Sequence, residues 1–598
     1  MADQVNIHDD IKLYTTAEKF YLEPTINPKE IMVIDRVSGV AYVEGVEKVK
    51  IPIPPNAYKP VCGFLGSIKL ISGYYLIVAK YRIVVGRVNN HDIYKLAGVD
   101  IIPYVRTTSH LTSQQIEDNS TYERMLRYAL NAPGIYFSYG YDLTHSLQRL
   151  HSVTADFHKL SLACRADPRF LWNGFLLKDF MDPMFGKFAL PLIQGFVAVN
   201  KLTIKKHQLT WSLISRRCVE RAGTRFFMRG ADVEGNVANF VETEQILEFG
   251  GTKTSFLQTR GSIPLFWTQY PNLKYKPAMT LSHEDHVSAY TKHLRDQHQR
   301  YGSQVLVNLI DQRGKEESLE RGYRAAVAAA ALPGVRYEPF DFHAECRGMR
   351  YDRLNVLIDR ISHEQEEFSY FMSRGGHVLL NQNGAFRTNC VDCLDRTNVV
   401  QSLLAKRQLE TSLQMLEVKL RNEQLPAWIV KLFNNVWADH ADMISIQYSG
   451  TGALKTDFTR TGKRTRIGLI NDGINSLTRY YKNNFSDGWR QDSMDLLLGK
   501  YKVQDGEGCS VRCPLRLQRN WRYYTFPSVL LFAMSMFCAS AILPKEYNTK
   551  ALSYIMMWGA CMGATLALIF RYGTEFVDWP RLDAGGLVAR RALPPPSL

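Results

Sequence analysis

What this chain of 598 residues lacks narrows it first. The opening, Met1 to Tyr14, has neither the basic start nor the apolar stretch of a secretory signal, so the bulk of the chain is expected in the cytosol. Cysteine is sparse: ten residues are scattered along the chain, which excludes a small disulfide framework and reads as reduced and intracellular. No internal repeat or low-complexity tract interrupts it. Acidic residues run short, 58 against 73 Lys and Arg, and the net charge of +15 favours an anionic partner such as phospholipid, nucleic acid or a phosphorylated small molecule. No zinc-finger or other nucleic-acid motif accompanies that charge, so nucleic acid is disfavoured.

Charge is absent altogether from two C-terminal runs, Phe526 to Leu543 and Ala551 to Phe570. About 18 to 20 residues at about 1.5 Å each reach roughly 27 to 30 Å, enough to cross a bilayer. Between them Lys545 to Lys550 leaves room only for a tight turn, so an antiparallel hairpin is expected with both ends on one side. Arg512, Arg516, Arg519 and Arg522 precede the first span, and Arg571, Arg581, Arg590 and Arg591 follow the second. The positive-inside rule then puts the large domains in the cytosol. Short spans suit the endoplasmic reticulum bilayer. Gly559 and Gly563 form a small-residue face that Ser535 and Ala539 could meet within the hairpin.

The run Ile68 to Val88 is rich in β-branched and aromatic residues around a Ser-Gly break and reads as adjacent strands of an N-terminal β-rich domain. A boundary is drawn near residue 180, before the mixed stretch Asp182 to Pro191. Beyond it, strand-like Val305 to Ile310 and helix-like Glu317 to Ala331 indicate an α/β domain. The expected division is residues 1–180, a catalytic domain over 181–500, a basic connector over 501–522, the hairpin over 523–571 and a cytosolic tail over 572–598. As a flexible coil the connector would span about 26 Å on average.

The densest chemistry lies in Asn389 to Val399, "NCVDCLDRTNV". Upstream, His377 to Gln382 reads as a strand; downstream, Val400, Leu403 and Leu404 have helical spacing, so the loop should sit on a strand-to-helix turn. Free amides at a helix N-terminus hold phosphate. Cys390 and Arg396, five residues apart, can then place a sulfur beneath the anion and a planar fork around it. The expected contacts are Val391, Asp392, Cys393, Leu394, Asp395, Arg396 and Thr397. Cys390 would attack phosphorus and water would hydrolyse the phosphocysteine, with no metal or other cofactor required. Asp392 is preferred over Asp395 as the acid for the leaving alkoxide, with Asp341 or His343 as acids from elsewhere. Cys390 and Cys393 also have the spacing of a redox pair or of half a zinc site that Cys509 and Cys513 would complete. Cys393 reads either as a resolving thiol or as a small buried side chain.

Cys-x5-Arg alone is a weak signal, but its surroundings are not. Arg387 to Val399, "RTNCVDCLDRTNV", resembles the signature of the Sac-domain phosphoinositide phosphatases. So do Gly63 to Val78, Arg229 to Ile246, "RGSIPLFW" at Arg260 to Trp267, "NLIDQRGKE" at Asn308 to Glu316, and Thr451 to Thr465; the resemblance covers about residues 60 to 500. With its hairpin the chain is similar to the membrane-anchored, suppressor-of-actin type. The resemblance implies an N-terminal Sac domain on an α/β domain of cysteine-phosphatase type. It further implies action on phosphatidylinositol 4-phosphate and secondarily on phosphatidylinositol 3-phosphate, disfavouring the 4,5-bisphosphate, at the endoplasmic reticulum and Golgi; membrane-contact-site or trafficking proteins are candidate partners whose identity the sequence does not reveal. The ending "RRALPPPSL" lacks the dilysine retrieval signal of some relatives.

Two basic clusters, Lys201 to Arg229 and Lys455 to Arg466, suit an anchored lipid enzyme, and Lys463 and Arg464 are the expected membrane or substrate contacts. The rival reading is a membrane-tethered phosphoinositide-binding scaffold with an inactive pocket, which would need neither Cys390 nor Arg396.

Overall fold

Gly63–Leu70 and Gly73–Val88 pair antiparallel, as the β-branched run predicts, with Ile68, Ile77 and Val78 buried. The computed structural model describes residues 6–26, 28–420, 423–516, 519–544 and 548–582. These two strands form one edge of a 13-stranded sheet. The sheet continues through His91–Pro103, Ile135–Phe137, Ile193–Ile204, His207–Arg217, Val241–Phe249 and Thr252–Arg260, every neighbour antiparallel. It ends in three strands joined in parallel, Gly384–Asn389, Ser303–Asn308 and Val335–Pro339. A separate five-stranded sheet over residues 11–61 packs Phe20, Leu22 and Ile34 against Phe64, Val78 and Phe180.

Residue 180 falls between Ile135–Phe137 and Ile193–Ile204, which pair through Tyr136 and Ile193, so one sheet runs through both halves. The Asp182 to Pro191 stretch is packed, with Phe185, Phe188 and Ala189 buried. Around the parallel strands, Val305, Leu306 and Val307 meet Tyr290 and Leu294 of helix His286–Tyr301 and Tyr323 of helix Glu317–Ala330. Parallel strands covered on both faces read as continuous apolar runs, which is why this strand was visible in sequence. Cutting Leu306 back to Ala would cost about 2 to 5 kcal/mol.

The strand feeding the signature loop is Gly384–Asn389, not the upstream run. His377–Leu380 is a strand too, but an exposed one in a side hairpin with Phe371–Arg374. Gly384–Asn389 hid because its inner residues are polar: Arg387, Thr388 and Asn389 are all fully buried.

The connector is docked, not a free coil. Tyr122 of helix Ser113–Leu130 donates to Glu507 at 2.5 Å, Gln115 donates to the Glu507 carbonyl, and Arg516 pairs with Asp118 at 2.9 Å. The apolar helices Trp521–Ile542 and Thr549–Arg571 form the C-terminal hairpin, the first starting five residues before the expected span. Phe532 meets Trp558 edge to face. Of the glycine pair, Gly559 faces Phe537 across the hairpin while Gly563 has no neighbour among the described residues where a side chain would project, so the expected match to Ser535 and Ala539 is not made. The turn residues 545–547 and the tail from 583, with Arg590, Arg591 and the C-terminal ending, lie outside the described residues.

Candidate active site

The loop Cys390–Leu394 links Gly384–Asn389 to helix Asp395–Met415. Leu394 occupies the helix N-cap and supplies no side-chain cap, and the amides of Asp392 through Thr397 meet no acceptor among the described residues. Unpartnered amides at the start of a 21-residue helix form an anion nest. Cys390, only 3 % exposed, lies at its base, with the Thr397 hydroxyl 3.5 Å from its sulfur.

Arg396 is held in a fixed pose. Its two terminal nitrogens donate to both Glu316 oxygens at 3.0 Å, and one also reaches the Leu309 carbonyl at 3.0 Å and Asp311 at 3.4 Å. Burial alone would weaken its proton affinity, but the Cys390 and Glu316 charges outweigh it and the guanidinium stays firmly cationic.

The two loop aspartates differ sharply. Asp392 accepts from Arg225 at 3.0 and 2.8 Å and from Arg229 at 2.7 Å. Burial opposes its charge, yet the two arginines prevail and hold the carboxyl far below the usual range. Asp395 accepts from the Leu454 amide at 3.1 Å. Burial pushes it above the usual carboxylate range against the opposing pull of Arg479. A carboxylate clamped by two guanidiniums resists protonation, which counts against the expectation that Asp392 is the proton donor. Asp341 caps the short helix after it through the Ala344 amide, whereas His343 faces the cavity and pairs with Asp311 at 2.7 Å.

Cys393 is also a packing residue. Its φ is +53°, its thiol donates to the Gly261 carbonyl at 2.9 Å, and burial, with the Cys390 charge beside it, pushes it up to about 12. That supports the small-buried-side-chain reading. Cys513 packs near Tyr122 in the core of the N-terminal half, apart from Cys390, so the four sulfurs are not brought together.

A cavity of about 310 Å³ opens above Cys390. Arg225, Lys276, Lys455 and Arg479 join Arg396 around it, giving five cations about one sulfur.

A family model described as the SacI homology domain matches residues 62–347, ending before the loop. Over 583 residues the chain is 49 % identical to phosphatidylinositol-3-phosphatase SAC1 of Drosophila melanogaster, covering 96 % of this chain and 97 % of that one. It is 45 % identical over 582 residues to the SAC1-B protein of Danio rerio, covering 96 % and 98 %. Against SAC1 of Saccharomyces cerevisiae the identity is 39 % over 554 residues, covering 89 % and 87 %. The chain belongs to the SAC1 family of phosphoinositide phosphatases.

Several residues that build this SAC1-family site escape a reading of the loop alone. Arg225 and Arg229 sit in a cluster expected at a membrane, and Glu316 closes the "NLIDQRGKE" run whose role was unassigned. Arg260, at the start of "RGSIPLFW", is fully buried behind the loop with no carboxylate partner among the described residues. Burial pushes it down to about 10 against the nearby Cys393 and Cys390 charges. Arg387 donates to His293 at 2.9 Å and to the Ser262 carbonyl at 2.6 Å, fixing the strand beneath the loop. Arg229, Arg260, Glu316 and Arg387 lie in stretches that resemble the family, which carried no geometry to assign roles; Arg225 lies outside them.

Of the two expected membrane contacts, Lys463 is exposed, while Arg464 is not free. Its guanidinium is sandwiched between Asp457 and Asp472, the latter at 2.7 Å, and it shapes its own loop.

Proposed function

We propose that this phosphoinositide phosphatase hydrolyses phosphatidylinositol 4-phosphate, and secondarily phosphatidylinositol 3-phosphate, through a phosphocysteine at Cys390. The observation that carries the reading is the buried Cys390 sulfur under an uncapped helix start, with Arg396 pre-oriented by Glu316. The helix-start amides have no acceptor among the described residues and can take up the transferring oxygens without breaking a bond, while Arg396 gives up part of its pairing with Glu316 to reach them. The Cys390 sulfur attacks phosphorus and the phosphorus–oxygen bond to the inositol breaks. Asp395, whose raised pKa suits a donor, gives its proton to the leaving oxygen. Asp395 then takes a proton from water as that water attacks phosphorus, the sulfur–phosphorus bond breaks and phosphate leaves. Asp392 keeps Arg225 and Arg229 in place, and Val391 through Thr397 supply the nest. No metal has a role in this sequence.

Substrate position rests on the family resemblance, and the names of the fly, zebrafish and yeast relatives describe those proteins as 3-phosphatases. The uncharged spans and the basic residues at both ends of the hairpin support a membrane protein with its catalytic domain cytosolic, and the short spans suit the endoplasmic reticulum; cycling to the Golgi rests on the family resemblance. Phosphate release from phosphatidylinositol 4-phosphate vesicles in excess chelator tests the proposal. Turnover should persist there and vanish in Cys390→Ser; turnover that requires added metal, or survives the serine, overturns it.

A further inference from the structure

Helix Arg466–Phe485 has two unlike sides. Toward the cavity it presents Ser476, Arg479, Tyr480 and Asn483. Away from it, Ile467, Ile470, Ile474, Leu477, Tyr481 and Phe485 recur every three or four residues and are each 41–73 % exposed. That is one continuous apolar stripe on a helix of 20 residues, about 30 Å long, with nothing among the described residues covering it. Singly exposed apolar residues need no explanation, but a contiguous stripe does.

Two observations say what covers it. First, the helix is fastened to the root of the membrane hairpin. The Asp578 amide donates to the Asn484 carbonyl at 2.7 Å, and the Tyr480 hydroxyl donates to the Leu273 carbonyl at 2.7 Å. Leu273 packs with Phe576 and Val577, and this cluster takes in Tyr523, Phe526, Ile569 and Tyr572 from the ends of both apolar helices. The C-terminal end of the stripe therefore starts where the spans emerge. Second, the other end is basic. Lys463 and Arg466 are exposed, as are Lys276 and Lys455 at the cavity, and none of their side chains pairs with a carboxylate among the described residues. Apolar residues on one side with unpaired cations flanking them are what an anionic bilayer surface takes up.

We propose that helix Arg466–Phe485 seats its exposed stripe in the cytosolic leaflet of the anchoring membrane and opens the Cys390 cavity at head-group level. This rests on the phosphatase reading and adds how a lipid reaches a buried sulfur: the head group rises into the cavity while its acyl chains stay in the leaflet. Seating next to the hairpin's root makes the protein's own membrane the source of substrate.

The test uses the full-length chain in phosphatidylcholine–phosphatidylserine vesicles, with p-benzoylphenylalanine replacing Ile470. Illumination should join that residue to phospholipid. A crosslink to protein, whether a second copy or the chain's own residues 583–598, or no crosslink at all, overturns the proposal. Made in the Cys390→Ser background, this experiment reads seating without turnover, so failure of the catalytic reading is a separate result. In a second arm, Ile467→Ser, Ile470→Ser and Leu477→Ser are combined. Hydrolysis of bilayer-embedded phosphatidylinositol 4-phosphate should fall at least about tenfold while that of its soluble dibutanoyl form stays within about twofold. Equal losses on both substrates, or loss on neither, contradict it.

Discussion

Lys201 to Arg229 and Lys455 to Arg466 are both basic clusters in sequence, and in the fold they part company. In the first, Lys201, Lys205 and Lys206 stay exposed but the arginines turn inward. Arg216 bonds Glu242 at 2.9 Å and Glu244 at 2.7 Å inside the sheet, and Arg217 donates to Gln194 and to the Gly223 carbonyl. Arg225 and Arg229 clamp Asp392. The second cluster divides, Arg460 and Arg464 pairing with local aspartates while Lys463 and Arg466 face solvent. The difference lies in where the acids are. Val241–Phe249 lies beside His207–Arg217 with Glu242 directly opposite Arg216, so a neighbouring strand delivers carboxylates to the first cluster. Counting cations cannot separate a membrane face from a buried network; locating their carboxylates can.

Inward-facing groups should act on every substrate, outward-facing ones only on bilayers. The largest effect is expected for Arg396→Lys, which loses the two-pronged geometry: kcat should fall about 10² to 10³-fold on vesicles and soluble lipid alike. A loss confined to vesicles would erase the distinction. Asp395→Asn should lower kcat about 10²-fold. It should also remove the decline in rate at higher pH, because an acid with a raised pKa donates below that pKa and stops donating as pH rises through it. Asp392→Asn should keep that decline, and pH–rate profiles of both variants decide between them. Arg216→Met leaves two carboxylates buried without their partner and should cost about 3 to 5 kcal/mol of stability, read as a lower unfolding temperature with an unchanged pH profile. Smallest is Lys463→Ala, expected to slow vesicle hydrolysis about fivefold and leave soluble substrate alone. Arg464→Ala, by contrast, should affect both substrates equally.

The hairpin and the strand-to-helix setting of the loop were legible because each is a local pattern: an uncharged run of spanning length, and apolar spacing at Val400 and Leu404. Family motifs singled out Cys390 and Arg396 as candidates as well. Gly384–Asn389 was not, since a strand whose inward residues are Arg387, Thr388 and Asn389 carries no apolar signature; its polar groups are matched by partners such as Asn308, 81 positions away. The contrasting surroundings of Asp392 and Asp395 were illegible for the same reason. Three residues apart, they differ only in what packs on them from residues 225, 229, 454 and 479. The docked connector was missed because its anchors, Glu507 and Arg516, bond partners nearly 400 positions away.

The central claim is that one buried sulfur carries the phosphoryl group between lipid and water. Rapid acid quenching of the full-length protein turning over phosphatidylinositol labelled in its 4-phosphate, followed by peptide mass spectrometry, tests it directly. The label should be found on Cys390, and on no residue in Cys390→Ser. Label on another side chain, or turnover without any labelled residue, would contradict the account.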